Sequence, residues 1–336
     1  MNGNAQKLIK YLDGASKRFI IPVYQRNYDW KMEHCKQLYD DLVKIIRQNR
    51  KSHFFGSIVS VQSESGTMEE FLIIDGQQRL TTISLLLLAI YHLLSSGKMV
   101  SRDHQLTDKI LKKYLIDEYE PEEKRIKLKP IKNDQKAFGI LFDQDEEYIP
   151  DSNLTINYRY FYDRIQHGEL DIDELFDAIC KLEIINISLN HEDNPQLIFE
   201  SLNSTGLNLS EGDKIRNYIL MGLPNDQQTK FYEKYWNRIE SYTDYDVSSF
   251  VRDYLTLYKS ICGFCGHKCR ISSDNISATQ NFQRTFHRRK ACTLLLNEGI
   301  YSAAPAAAAA AGLLRQPAGS RGGGNAAQGR LPQTFR

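Results

Sequence analysis

The sequence predicts an α+β protein in which a small sheet with helices is followed by a mainly helical region. Short runs of β-branched and aromatic residues, typical of strands, recur in the first hundred positions. Residues 83–94 are apolar almost throughout, which is too long for a strand and typical of a buried helix. Beyond residue 100 helical spacing predominates. We therefore expect an α/β core at residues 1–100, a mainly helical region at 101–260 and a tail at 261–336.

The individual elements follow from periodicity and from the turn residues that flank them. Apolar residues at helical spacing predict further helices over residues 5–13, 31–50, 104–118, 133–142, 154–166, 171–182, 226–241 and 247–260. Alternating or β-branched runs predict strands over residues 19–21, 53–61, 71–74, 125–131 and 183–189. Gly14 ends the first helix, and Pro22 ends the first strand because proline has no amide hydrogen for a sheet. The last two helices are expected to bury Phe231, Tyr235, Trp236, Phe250, Tyr254 and Leu257.

The charge is unevenly distributed along the 336 residues, although the formal net charge is only +1. Residues 1–260 hold 33 Lys and Arg against 40 Asp and Glu, a balance of −7, while residues 261–336 hold 10 against 2, a balance of +8. An acidic body argues against a broad nonspecific nucleic-acid surface and leaves room for a local basic groove.

The sequence indicates a cytoplasmic protein that does not span a membrane. It does not open with a charged segment followed by an apolar one, as a signal peptide would. The most apolar segment, residues 80–94, is shorter than the roughly 20 residues that cross a bilayer. Cys35 and Cys180 stand alone in the body, which fits a reducing compartment.

A polar stretch, Asp-Gly-Gln-Gln-Arg at residues 75–79, lies between the predicted strand 71–74 and the long apolar helix. Asp-Gly is a turn pair, so the order is strand, tight turn and helix. The first amides of a helix have no partner inside it and carry the positive end of its dipole. A phosphate is the ligand that such a helix start binds most readily.

The side chains of this stretch suit the same ligand. Arg79 offers a planar fork of donors that matches phosphate oxygens. Gln77 and Gln78 are suited to a ribose, a phosphate oxygen or an attacking water, and Asp75 to Mg²⁺ or to accepting a proton from that water. Spacing alone allows a structural interpretation equally well: Asp75 caps the helix, Gly76 supplies the turn and the rest form a solvated first turn.

The loop after Pro22 is dense in aromatic residues and amides, with Tyr24, Tyr28 and Trp30 as its rings. With Arg26 these rings could form a stacking wall for a nucleotide, but for the rings we prefer a role in covering the core. Gln25 and Arg26 are the better candidates for binding. His53, beside two phenylalanines, is interpreted as a packed or edge histidine.

A second polar group lies at residues 195–217, which read as helix, glycine-containing turn and helix. Glu200, Asn203 and Thr205 cluster at the turn. On the second helix one face carries Asp213, Arg216 and Asn217. Ser210 with Asp213 three positions later forms a capping box, so Asp213 also has a structural role available.

The tail differs from the body. Its composition, with alanine and glycine runs, cannot build a core, so most of residues 261–336 are expected to be disordered or non-native. Cys262, Cys265 and Cys269 suggest zinc, but a full site needs four well-placed ligands.

Three stretches together resemble the N-terminal domain of GmrSD-type modification-dependent restriction systems: residues 21–30, residues 74–82, and residues 199–206 with the face at 213–217. The resemblance covers roughly residues 5–260, and the Asp-Gly-Gln-Gln-Arg motif is its most specific part. It implies a ParB/sulfiredoxin-like core with a small mixed sheet, completed by the helical region.

The resemblance implies binding and hydrolysis of a nucleoside triphosphate (GTP, ATP or another) with Mg²⁺, in defence against foreign, often modified, DNA. The implied catalytic residues are Asp75, which is also the metal ligand, Gln77, Gln78 and Arg79. The implied nucleotide-binding residues are Gly76, Gln25, Arg26, Asn203, Asp213 and Arg216.

Family members commonly carry a C-terminal nuclease domain of the His-Asn-His type. Residues 261–336 contain no paired histidine with a metal-binding Asn or His, so we expect cleavage to depend on a separate domain or subunit. Assembly into a homo-oligomer stays open. The alternative function is a module that senses a nucleotide or modified DNA without hydrolysis; a nuclease activity of the core itself ranks below both.

Overall fold

A computed structural model describes residues 2–65, 68–143, 147–190, 193, 198, 210–221, 223 and 225–264. Within these residues the chain forms a six-stranded mixed sheet covered by helices, which confirms the α+β class.

The sheet has the strand order β1-β6-β3-β4-β2-β5. Its strands are β1 (Asn2–Lys7), β2 (Lys17–Ile20), β3 (His53–Ser65), β4 (Met68–Asp75), β5 (Leu128–Lys129) and β6 (Leu182–Leu189). The β3–β4 and β1–β6 pairs are antiparallel, whereas β6 runs parallel to β3, and β2 runs parallel to β4 and β5. Strand β4 therefore lies inside the sheet, and its carboxyl end, beyond Leu72, continues past β2 and pairs with β3 alone.

The described helices are numbered in chain order. They are α1 (Leu8–Leu12), α2 (Met32–Arg47), α3 (Gln77–Ser95), α4 (Leu106–Lys109), α5 (Lys132–Phe142), α6 (Asn153–Gln166), α7 (Ile172–Cys180), α8 (Glu211–Met221), α9 (Asn225–Phe231), α10 (Asn237–Tyr242) and α11 (Val247–Phe264). Helix α4 continues as a π-helical turn over Ile110–Leu115, and a second such turn, Tyr232–Trp236, joins α9 to α10. A 3-10 turn covers Glu122–Lys124.

Two predicted elements are wrong in type or extent. The helix predicted over residues 5–13 is confined to α1, because the preceding residues form the edge strand β1 against β6. The strand predicted over residues 125–131 is reduced to the two residues of β5, which end at Pro130. Neither partner strand is near in sequence, so local spacing could not show either pairing.

Helix α3 is the centre of the main core. Its residues 85–90 are at most 1% exposed, and it packs against α6, where His92 Nδ1 lies 2.7 Å from Tyr158 Oη. Among the described residues α3 alone is long and apolar enough to cross a membrane, but 78% of its apolar window is buried inside the molecule. Burial in the core thus accounts for its composition.

Helices α8 to α11 pack on the face of the sheet opposite to α3. Ile58 and Ile73 point into the core around α3, whereas their neighbours Val59 and Ile74 join a second cluster with residues of α8 to α11. Successive strand residues face opposite sides, so the sheet is sandwiched. A domain boundary at residue 100 stays a prediction; α3 and α6, on either side of it, share one core.

In the last helices the predicted core residues Trp236 and Phe250 are buried, and Phe231, Tyr235 and Tyr254 are half-buried. The side chain of Leu257 lies outside the described residues.

Candidate functional site

The loop after Pro22, the start of α3 and helix α8 meet at the carboxyl end of β4. Gln25 Nε2 donates to the carbonyl oxygen of Ile74, at 2.8 Å. From α8, Arg216 Nε donates to the carbonyl oxygen of Tyr24, at 2.9 Å. The side chain of Gln78, in the first turn of α3, also bonds this loop. Three stretches that are distant in sequence thus form one site.

Helix α3 begins without a side-chain cap. Its N-cap, Gly76, has φ 96°, in the left-handed region that favours glycine. A Cβ there would lie 3.0 Å from the Ser57 carbonyl oxygen and from Ile58 Cγ1, so only glycine fits. The first helical bond runs from Leu80 N to Gly76 O. The amides of residues 77–79 thus precede the helical ladder, and no described side chain accepts from them.

Arg79 lies over a bulge in β3. Its Nη1 donates to the Ser57 carbonyl oxygen at 3.0 Å and lies 3.7 Å from Asp75 Oδ2, and its side chain is 30% exposed. A Cβ on Gly56, which has φ 126°, would stand only 2.6 Å from Arg79 Nε. Gly56 was not among the residues predicted for the site. A glycine inside a strand run is the signal that could have found it, because it marks a bulge or a close approach.

Three other predicted residues keep polar groups available. The Asp75 carboxylate is 25% exposed, and Arg79 is its one ion-pair partner among the described residues. The Gln77 side chain is buried, yet no described residue hydrogen-bonds its amide group. Arg26 is half-buried and lies 3.8 Å from Asp29 Oδ2, a distance that makes only a loose ion pair.

Gln78, in contrast, is fully engaged. Its Oε1 accepts from the amides of Asp29, at 2.9 Å, and Trp30, at 3.1 Å. Its Nε2 donates to the carbonyl oxygen of Asn27, at 3.1 Å. All the usual bonding capacity of this side chain except one donor hydrogen is used, so Gln78 holds the loop against α3.

Arg216 is the centre of a buried ionic network. Its Nη1 lies 2.5 Å from Glu240 Oε1 and its Nη2 lies 2.7 Å from Asp213 Oδ1. Glu240 is only 4% exposed and also accepts from Tyr232 Oη and Trp236 Nε1. Together with burial, this carboxylate raises the pKa of Tyr232, which therefore stays protonated. Arg216 thus joins α8 to the loop, and Asp213 is connected to the loop through Arg216.

The predicted capping box is confirmed, since Ser210 N donates to Asp213 Oδ2 and Asp213 N to Ser210 Oγ. Glu240 was missed by sequence reasoning. Its spacing of four residues from Trp236 is the one local signal that could have indicated it.

The aromatic rings of the loop after Pro22 cover the core, as predicted from the sequence. Tyr24 and Tyr28 are buried, and Tyr28 Oη lies 2.7 Å from Thr82 Oγ1. Trp30 is half-buried and stacks on His34. His53 is half-buried, with Asp41 of α2 3.9 Å from its Nε2, in keeping with an edge histidine.

Several predicted site residues lie outside the described residues, namely Glu200, Asn203, Thr205, Cys265 and Cys269, as does the side chain of Cys262 and nearly all of the tail. The predictions of a zinc site and of a disordered tail are therefore untested. Within the described part of the chain, no three His, Cys, Asp or Glu residues group as metal ligands.

The fold and the site define an α+β protein in which a sheet strand turns into an uncapped core helix through an Asp-Gly-Gln-Gln-Arg motif. A family model, "GmrSD restriction endonuclease, N-terminal domain", matches residues 8–220. The chain therefore belongs to this family and is a component of a GmrSD-type restriction system, which acts on DNA with a nuclease component. No curated protein matches it.

Proposed function

We propose that residues 75–79 bind a nucleoside triphosphate and hydrolyse it in the service of DNA restriction. The observation that carries this proposal is the start of α3, where three amides without a described acceptor lie beside Arg79. Amides at a helix start and a guanidinium are the two groups that proteins use most often to hold phosphate.

Arg79 is suited to phosphate because it is held without being neutralised. Its bond to Ser57 is to a neutral carbonyl oxygen, and its nearest described acid is 3.7 Å away, so most of its charge stays available to a ligand. Arg26, which has only a loose ion pair, adds a second charge on the loop. Charge stabilisation of this kind does much of the work in phosphoryl transfer.

Asp75 and Gln77 act on the water in this proposal. A partly exposed carboxylate at a strand end can accept a proton from water, and the amide of Gln77, which no described residue hydrogen-bonds, can orient that water. Mg²⁺ often takes only one or two protein carboxylates together with the substrate phosphates, so a single Asp75 fits it. When bound, the ion would offset phosphate charge.

The remaining predicted residues have supporting roles in this proposal. Gln25, Gln78, Asp213 and Arg216 position the loop and the helix start, and Gly76 allows the phosphate to approach the amides. Asn203, in the second polar group, is proposed as a further contact to the nucleotide. DNA and a nuclease domain or subunit are the proposed partners.

Phosphate release tests the proposal. Purified full-length protein with Mg²⁺ and each of ATP, GTP, CTP and UTP, with and without modified DNA, should release phosphate from at least one nucleotide. Arg79→Ala should lose this activity, whereas Arg125→Ala, an exposed arginine outside the site, should not. Wild-type turnover by Arg79→Ala would contradict the proposal.

The alternative function, a sensor without turnover, is favoured by one observation. The Gln78 side chain uses three hydrogen bonds to hold the loop, which leaves Gln77 as the one side-chain amide of the motif without a partner among the described residues. Nucleotide binding that depends on Arg79 without phosphate release would select this alternative.

A further inference from the structure

An open cavity of about 430 Å³ lies at the other end of α3, between this helix, α6 and the segment before α6. Its volume is in the range of small-molecule sites. Its lining includes three tyrosines, two cations and a histidine: Tyr148, Tyr158, Tyr162, Lys98, Arg159 and His92. Helices rise 1.5 Å per residue, so His92 lies roughly 22 Å from Gln77, and the cavity is separate from the site at residues 75–79.

His92 lines this cavity from within the core. It is only 2% exposed, and its Nδ1 lies 2.7 Å from Tyr158 Oη. Its Nε2 has no hydrogen-bond partner among the described residues. Burial lowers the pKa of His92 to about 4, so the ring is neutral near pH 7. The ring thus lines the cavity without adding charge, so the charge of the cavity comes from its lysine, arginine and aspartate side chains.

The cations of the cavity are held by rings and not by acids. Lys98 Nζ lies 5.2 Å from the centre of the Tyr162 ring, and Arg159 lies 5.8 Å from that of Tyr148. Neither cation forms an ion pair with a described acid. Asp163 also lines the cavity, which leaves a net positive charge. Aromatic rings beside unneutralised cations are the combination by which proteins bind a base together with its phosphate.

We propose that this cavity binds a nucleotide, either free or within single-stranded DNA, with the base against the tyrosines and the phosphate between Lys98 and Arg159. A neighbouring cavity of about 520 Å³ shares Arg159 and continues along α6 past His167. A DNA strand would extend into this second cavity, whereas a free nucleotide would not.

Binding is measured on the full-length Arg79→Ala protein, which lacks the arginine proposed to hold phosphate at the other end of α3 and so reduces binding at that site. The losses caused by the cavity substitutions then report on the cavity itself. Calorimetric titration with dTMP and with a 5′-phosphorylated thymidine octamer should show binding of at least one ligand. Added Lys98→Gln or Arg159→Gln should weaken it about tenfold, since each removes a charged hydrogen bond. The matched controls Lys124→Gln and Arg125→Gln alter exposed cations outside the cavity and should leave it unchanged.

The two sources of nucleotide give different results. A strand site binds the octamer more tightly than dTMP, and His167→Gln weakens the octamer alone. A site for a free nucleotide binds dTMP and the octamer with equal affinity, and His167→Gln changes neither affinity. The four cation substitutions change exposed side chains, so we expect each variant to fold. A circular dichroism spectrum that matches that of the parent protein checks this. Absence of binding by either ligand, or equal losses in the cavity and control variants, would overturn the proposal.

Discussion

Arg216 donates a hydrogen bond from its Nε to the carbonyl oxygen of Tyr24, a residue 192 positions earlier in the chain. The neighbour of Tyr24, Gln25, bonds in turn to Ile74 at the end of β4. Helix α8 is thereby connected to the end of β4 through one loop, which Gln78 also holds against α3.

Gln77 and Gln78 should respond oppositely to replacement by alanine. Gln78→Ala removes three hydrogen bonds and leaves two loop amides unpaired, so we expect it to lower the free energy of unfolding by about 2 kcal/mol. Gln77→Ala removes no described side-chain bond and should cost less stability but lower phosphate release. Chemical denaturation and the phosphate assay measure the two effects. Equal stability losses would argue against the division of roles.

Gly56→Ala should displace Arg79. The new Cβ would stand 2.6 Å from Arg79 Nε, so the guanidinium has to leave its place over Ser57. Gly14→Ala is a matched control, because Gly14 has the same φ of 126° but nothing within 4 Å of its Cβ position. Both variants should lose roughly 1–3 kcal/mol to backbone strain. Only Gly56→Ala should also weaken nucleotide binding, measured by calorimetry; unchanged affinity would show that Arg79 is not required in this position.

Glu240→Gln should destabilise the protein strongly, since it leaves Arg216 buried beside a single acid. Breaking a buried ion pair costs about 3–5 kcal/mol, whereas exposed pairs contribute about 0–1 kcal/mol. The control is Glu233→Gln, which breaks the exposed pair with Lys132. Urea denaturation compares the two. A loss at Glu240 no greater than that at Glu233 would contradict a central role for the network.

A buried histidine and a half-buried aspartate should give opposite contributions to stability at acid pH. Burial lowers the pKa of His92 from 6.5 to about 4, so the unfolded chain binds the extra proton first and stability falls as pH drops from 6.5 to 4. Burial raises the pKa of Asp134 from 3.8 to about 6, so the folded chain binds its proton first and stability rises as pH drops from 6 to 3.8.

Asp134→Asn should therefore make the protein more sensitive to acid than the wild type. The substitution removes the stability that Asp134 gains on protonation. It leaves the loss of stability caused by His92, which is about 3 kcal/mol between pH 6.5 and 4. Denaturation curves at several pH values test this. Parallel curves for the variant and the wild type would show that Asp134 does not titrate as described.

Most of the local structure could be predicted from the sequence. Long apolar spacing defined α3, alternation defined β3, and the Ser210–Asp213 capping box was visible as a motif, because each depends on neighbours within a few residues. The strand-turn-helix order around Gly76 was likewise readable from the turn pair and the apolar run that follows it.

Which of two identical neighbours, Gln77 or Gln78, faces the loop could not be predicted, because it depends on how the folded elements pack. Gln77 and Gln78 have the same side chain, and adjacent helical residues point about 100° apart, so their roles depend on how α3 docks. Gln78 meets the loop and is occupied, whereas Gln77 is left without a described partner. The edge strand β1 and the Arg216 bond to Tyr24 were equally hidden, since their partners come together only when the chain has folded.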